Sequence, residues 1–284
     1  MDWNKSIIDY ISSKEWAINA EWGLAQFNEY IFNINSNPII DTFTTAKTNS
    51  LGLSYYNMFG EDISEPKLIG STKDKIVEIS MSGVMHLKDG LCHYGAESVI
   101  TQLRNAYSDK AIKGILFSID SGGGDPQAGA EISQALKERN KPVVVRGTMI
   151  GSAAYMAAMG ADEIIAANIY SKIGSIGAFV SINKQFLTQY KEMVLDIYAN
   201  QSENKNIEFR ELINGNNDPI QTSVNNLAEL FIQDVKKNRK AISDKYEDTF
   251  KGGVFVATGA KKRGLIDSIG TKQYAIKRII SFTN

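Results

Sequence analysis

The stretch "KGILFSIDSGGGDPQAGAEISQALKERNKPVVVRGT", residues 113–148, decides the fold. Residues 113–120 are an apolar run of strand length, continuous enough to be covered on both faces. Three glycines follow, and then Asp125 and Pro126 stand where a helix N-cap and a first helical residue stand. The helix is predicted over 125–140, and "KPVVVRGT" (141–148) supplies the next strand. Strand, helix and strand in succession predict parallel neighbours with a crossover helix.

The pattern extends in both directions. Upstream, "KIVEISMSGVM" (75–85) reads as a buried strand ending at Gly83, and "GAESVITQLRNAYSD" (95–109) carries Val99, Leu103 and Tyr107 at helical spacing. Downstream, "TMIGSAAYMAAMGADEII" (148–165) gives a small-residue helix and the start of a strand over 162–167. A further strand is predicted at "GAFVSI" (177–182). Residues 218–242 place Val224, Leu227, Leu230, Phe231 and Val235 on one helical face. The fold class is α/β with a parallel sheet.

Residues 1–72 are different in character. Trp3, Trp16 and Trp22 all fall there, amid polar, irregular sequence. They read as a helical N-terminal arm that covers either a neighbouring subunit or its own core, with a second unit over 73–284.

Composition narrows the function classes. With 31 basic and 32 acidic residues the net charge is −1, which offers no general attraction to nucleic acid or anionic lipid. A single cysteine, Cys92, allows no internal disulfide and fits a reducing compartment. The N-terminal stretch lacks the basic start and apolar block of a signal peptide, and no run of about 20 apolar residues is present. No cofactor or metal motif is read. The expectation is a cytoplasmic protein without a membrane span or a nucleic-acid partner.

Two glycine-marked turns carry the chemistry. In "SIDSGGGDP" (118–126) the glycines open backbone conformations closed to other residues, and the helix directly after presents free N–H groups. Such a turn can hold a phosphate or a developing oxyanion, or be only a tight turn. In "GTMIGSAAY" Ser152 lies near a helix start, as a nucleophile or as a plain N-cap. A nucleophilic serine needs a base, and no histidine follows Ser152; His86 and His93 lie in a strand-exit loop. A dehydrated lysine can serve, because burial disfavours its charged form. Lys172, Lys184, Lys191 and Lys205 are the downstream candidates, and the residues alone do not choose among them. Cys92 beside His93 is a weak rival, since adjacent residues point apart.

"SIDSGGGDPQAGAEI", "GSAAYMAAMGADEII" and "SKIGSIGAFV", in this order, resemble the signal peptide peptidase A family of serine peptidases, over roughly residues 73–275. The resemblance implies the spiral of ββα units shared by the Clp protease subunit and crotonases. It implies Ser152 as nucleophile, an oxyanion hole bounded by Gly123, Gly124 and the N–H of Ala153, and Ser175 as orienting residue. Gly122 stands where the family has proline. The implied base is Lys205, thirty residues beyond Ser175, in a longer and more polar loop than the family's Gly-x-x-Lys; Lys172 is the fallback. It further implies a homo-oligomeric ring acting on peptide and protein substrates. The short chain and its aromatic arm are most similar to the phage capsid-maturation branch, with scaffold or portal-associated proteins as substrates, in host cytoplasm or procapsid. A soluble bacterial enzyme degrading signal-peptide remnants or misfolded chains, a crotonase-like acyl-CoA enzyme and a catalytically silent assembly protein are the alternatives.

Overall fold

A computed structural model of the protein describes residues 50–64, 73–90 and 93–283, together with the backbone of residues 17 and 18. Among the described residues the strands are β1 (Ala17–Ile18), β2 (Ser50–Asn57), β3 (Lys75–Ser82), β4 (Ile112–Ser121) and β5 (Gly123–Gly124). They continue with β6 (Val143–Gly151), β7 (Glu163–Ala166), β8 (Lys172–Gly174), β9 (Val254–Val256) and β10 (Ser268–Ile269). The helices are α1 (Ala96–Ser108), α2 (Pro126–Lys137), α3 (Ala153–Ala158) and α4 (Lys184–Met193). After these come α5 (Ile207–Ile213), α6 (Asp218–Asn238), α7 (Ala257–Lys262) and α8 (Lys272–Thr283).

The main sheet runs β10-β7-β6-β4-β3-β2, parallel throughout except for β2, which pairs antiparallel with β3. Each βα unit therefore steps one strand along the sheet. Apolar side chains of α1, α2 and α3, among them Leu103, Ile132, Leu136 and Tyr155, join one buried cluster with Ile79, Ile115 and Phe117. On the other face α8 lays Ala275, Ile276 and Ile279 over Ile76, Leu116, Val144 and Ile165. Both faces are covered, which is why the strands read as continuous apolar runs. The α/β architecture is the one the sequence implies.

β6 changes partner along its length. Val144–Gly147 pair with β7, whereas Met149–Gly151 pair with β8, which in turn pairs antiparallel with β9. The end of β6 stays paired with β4 on one side while its other side passes from β7 to β8, and this brings β8 beside the site.

The structure departs from the sequence reading at several points. Residues 50–57 belong to the sheet, so the boundary expected at residue 72 falls between the two strands of an antiparallel pair. The expected arm helix lies outside the described residues. Residues 177–182 form no extended strand; the strand there is β8, five residues earlier, where Ile173 is buried against β6. On α6, Val224, Phe231 and Val235 are buried as expected, but Leu230 is exposed. Among the described residues no helix is long and apolar enough to cross a membrane.

One polar network sits inside the α8 face. Buried Glu78 accepts hydrogen bonds from Tyr56 Oη (2.7 Å), Ser118 Oγ (2.6 Å) and Lys272 Nζ (2.9 Å). Burial by itself raises the Glu78 carboxyl, but the bonds from Ser118, Lys272 and Tyr56 outweigh it and hold the group below its usual range. A carboxyl depressed in the folded state stabilises fully above its unfolded value of about 4.3 and loses that contribution as pH falls through the folded value. Glu78→Gln is expected to lower stability at pH 7 by about 1–3 kcal/mol. It should also flatten the acid limb of the stability curve, as read by urea unfolding at neutral and acidic pH.

Candidate active site

The glycine turn leaves β4 and enters α2. Gly123 and Gly124 adopt φ of 107° and 152°, and a Cβ on Gly124 would stand 2.2 Å from the carbonyl oxygen of Met85. Only glycine fits there. Met85 N–H donates to Gly123 O and Asp125 N–H donates to Met85 O, both at 2.9 Å, so one edge of β5 is fixed from inside the domain. The Asp125 carboxylate accepts from Gln127 N–H at 2.9 Å, with Pro126 behind it, as the sequence predicts for this helix start. Ser121 was not foreseen. Its hydroxyl donates to Gly83 O (2.7 Å) and accepts the N–H of Gly123 (3.1 Å). Gly123 N–H must therefore exchange Ser121 for a substrate oxygen if it is to stabilise an oxyanion.

Ser152 joins β6 to α3 with φ 54° and ψ −119°, a conformation glycine adopts readily and other residues rarely. Its N–H donates to Gly174 O at 2.8 Å and its carbonyl accepts the N–H of Met156 at 2.9 Å, so the backbone is held from both sides. The residue occupies the N-cap position, yet its side chain makes no cap bond. Its Oγ is buried and has no hydrogen-bond partner. A strained backbone that aims a buried hydroxyl at nothing is a poor cap; strain of this kind concentrates at functional sites.

The register of β6 and β8 sets Gly151 opposite Gly174, so Ser152 and Ser175 leave neighbouring strands side by side. Ser175 is also buried with positive φ (55°), and its N–H donates to Gly253 O at 2.7 Å. The lysines are not gathered in the same way. Lys172 lies on β8 opposite Met149, exposed. Lys205 sits on an exposed turn between α4 and α5, its N–H bonded to Ser202 O at 3.1 Å. Neither ammonium reaches hydrogen-bonding distance of Ser152 Oγ. Lys184 and Lys191 are on α4, which buries none of its residues. His86 and His93 stack on each other with ring centres 3.9 Å apart, and neither bonds Ser152. Cys92 lies outside the described residues. Among the described residues no cluster of three or more histidine, cysteine or acidic side chains could hold a metal.

The small residues around Ser152 are there for proximity. Gly129 on α2 faces the backbone of Ala153, and a Cβ at Gly129 would stand 2.5 Å from Ala153 O and 3.2 Å from its Cα. Gly129→Ala gains about 1 kcal/mol of helix propensity. The overlap with main chain costs about 1–3 kcal/mol and shifts the N–H of Ala153. The variant should melt lower and lose about 10²-fold in turnover, since displacements near 1 Å are enough for that. Thermal unfolding and peptide hydrolysis measured on the same sample check both.

A buried serine at a strained strand-to-helix turn thus lies in an α/β fold beside a glycine turn that precedes a second helix. The family model for peptidase family S49 matches residues 135–281, half of the chain, and the chain belongs to that family of serine peptidases. A protease of Methanocaldococcus jannaschii is 27% identical over 66% of this chain and 62% of its own length. The chain thus spans less than two thirds of that relative. An SppA signal peptide peptidase of Enterococcus faecium is 24% identical over 83% of this chain and 72% of its own length. Among solved structures, the 1510-N membrane-bound stomatin-specific protease with a substrate peptide is similar at a TM-score of 0.48. It is 14% identical over 72% of this chain and 80% of that one. ClpP1 of Listeria monocytogenes is similar at a TM-score of 0.40, 17% identical over 69% of this chain and 94% of its own.

Proposed function

We propose that the protein is a serine endopeptidase in which Ser152 attacks the peptide carbonyl. The observation that carries this reading is the buried, unpartnered Ser152 Oγ on a backbone of positive φ. The neutral amine of Lys205 takes the serine's proton, its loop having closed over the site and excluded water. Ser175, beside Ser152, orients that lysine. The developing oxyanion is held by N–H groups of Gly123, Gly124 and Ala153, at positions tied down by Met85 and Gly129. Water then hydrolyses the acyl-enzyme with the same base. A fluorophosphonate probe should label the wild-type protein at Ser152 and nowhere else. Cleavage of an unstructured protein by material that Ser152→Ala leaves fully active would sink the assignment.

For the natural substrate we favour capsid-assembly proteins cut within a homo-oligomeric ring, on the strength of the tryptophan-bearing region before residue 50. The likeness to the Enterococcus faecium signal peptide peptidase favours a second reading, removal of signal-peptide remnants. Portal and capsid genes found beside its own gene would support the first reading, and a secretion gene there would support the second. Cleavage of scaffold protein against signal peptides, assayed side by side, decides between them.

A further inference from the structure

β1 pairs antiparallel with β5, with Ala17 opposite Gly124 and Ile18 opposite Gly123. β5 is the candidate oxyanion strand, and Met85 already holds its inner edge. The remaining edge is the one a peptide substrate needs, because an extended chain laid beside the glycines presents its carbonyl to their N–H groups. In this structure that edge is taken by the protein's own N-terminal segment. The direction is also informative. β1 runs from Gly124 to Gly123, towards Gly122, whose carbonyl lies within van der Waals reach of a Cβ placed on Gly151 (3.3 Å to its oxygen). Ser152 is the next residue. The direction of Ala17–Ile18 is therefore the one in which β5 approaches Gly151 and Ser152.

We infer that the N-terminal segment occupies the substrate strand's place at β5, and that the chain is its own first substrate, cut at one of the three bonds following Ile18. The inference rests on Ser152 being a peptidase nucleophile. In the reaction Ser152 Oγ bonds to the carbonyl carbon and its proton passes to the base. The C–N bond breaks, and that proton goes to the leaving amine, which becomes a new N-terminus. One water then adds to the ester, restores the Ser152 hydroxyl and releases the segment with a carboxylate end. Until that happens the tethered strand competes at an effective concentration in the millimolar range. Free peptide then binds with an affinity lowered by the fraction of sites left open.

The test uses the full chain. Intact mass and N-terminal sequencing over time should show the wild type acquiring a new N-terminus at residue 19, 20 or 21, at a rate unchanged by tenfold dilution. Ser152→Ala should stay whole. In parallel, Ser152→Ala with and without Ala17→Pro and Ile18→Pro is titrated with a fluorescent peptide of residues 14–23, KEWAINAEWG. Proline cannot donate to the ladder, so the variant carrying both prolines should bind this peptide at least tenfold more tightly. A wild-type chain that stays whole while it cuts an unstructured protein and takes a fluorophosphonate at Ser152 overturns the inference and leaves the peptidase reading standing. Equal peptide affinity in the two Ser152→Ala backgrounds overturns it as well. Failure of self-cleavage, of external cleavage and of labelling together overturns both readings.

Discussion

Ser152→Ala is expected to lower peptide hydrolysis by on the order of 10⁶, the scale seen when a nucleophilic serine is removed, and to leave the fold untouched. The two halves of this expectation come from the same atom. In the proposed mechanism the Oγ carries the chemistry, so nothing in the remaining site replaces it. The Oγ also makes no hydrogen bond in the free protein, so its removal strands no partner and leaves no unpaired group behind. A side chain that mattered only as an N-cap would behave in the opposite way, costing about 1 kcal/mol of stability and no activity. Hydrolysis of an unstructured protein and thermal unfolding, measured on both proteins, separate the two cases cleanly. A stable, active Ser152→Ala protein would remove the serine from the mechanism.

The second large effect is expected at Lys205. Lys205→Ala should cut turnover by about 10³-fold or more, whereas Lys172→Ala should change it only a few-fold. A base must reach the serine, and general-base groups supply about 10²–10⁴ on their own, with more lost when they also activate a nucleophile. Lys205→Arg should not rescue, because guanidinium does not surrender its proton near neutral pH. Lys205 lies on an exposed turn following α4, a helix with no buried residue. The proposed mechanism requires its loop to come down on the site before the chemistry. Reversed behaviour of the two lysine variants would assign the base to Lys172.

The sequence disclosed what short-range chemistry dictates. Asp125 and Pro126 announced the start of α2, the apolar run of β4 announced a strand buried on both faces, and the glycines announced a turn that side chains could not follow. The position of Ser152 at a strand-to-helix turn was equally legible. Its φ of 54° was not, because the Ser152 N–H is held by Gly174 O, 22 residues further along the chain, a contact no local rule encodes. The same limit hid Ser121, whose role depends on Gly83, 38 residues earlier in the chain. β2 was missed because Ser50–Asn57 is an edge strand with only Tyr56 fully buried, so its pattern is weakly apolar. Lys205 was picked out by resemblance alone, and the geometry around it still lacks the contact that resemblance implies.

The backbone at Ser152 has a consequence for how this protein can be improved. Glycine would sit at φ 54° and ψ −119° with far less steric penalty, so Ser152→Gly relieves strain of about 1–3 kcal/mol while deleting the hydroxyl. Stability and catalysis thus pull in opposite directions at one position. Any selection for heat resistance that ignores turnover should converge on glycine there, and so retire the enzyme while strengthening its scaffold.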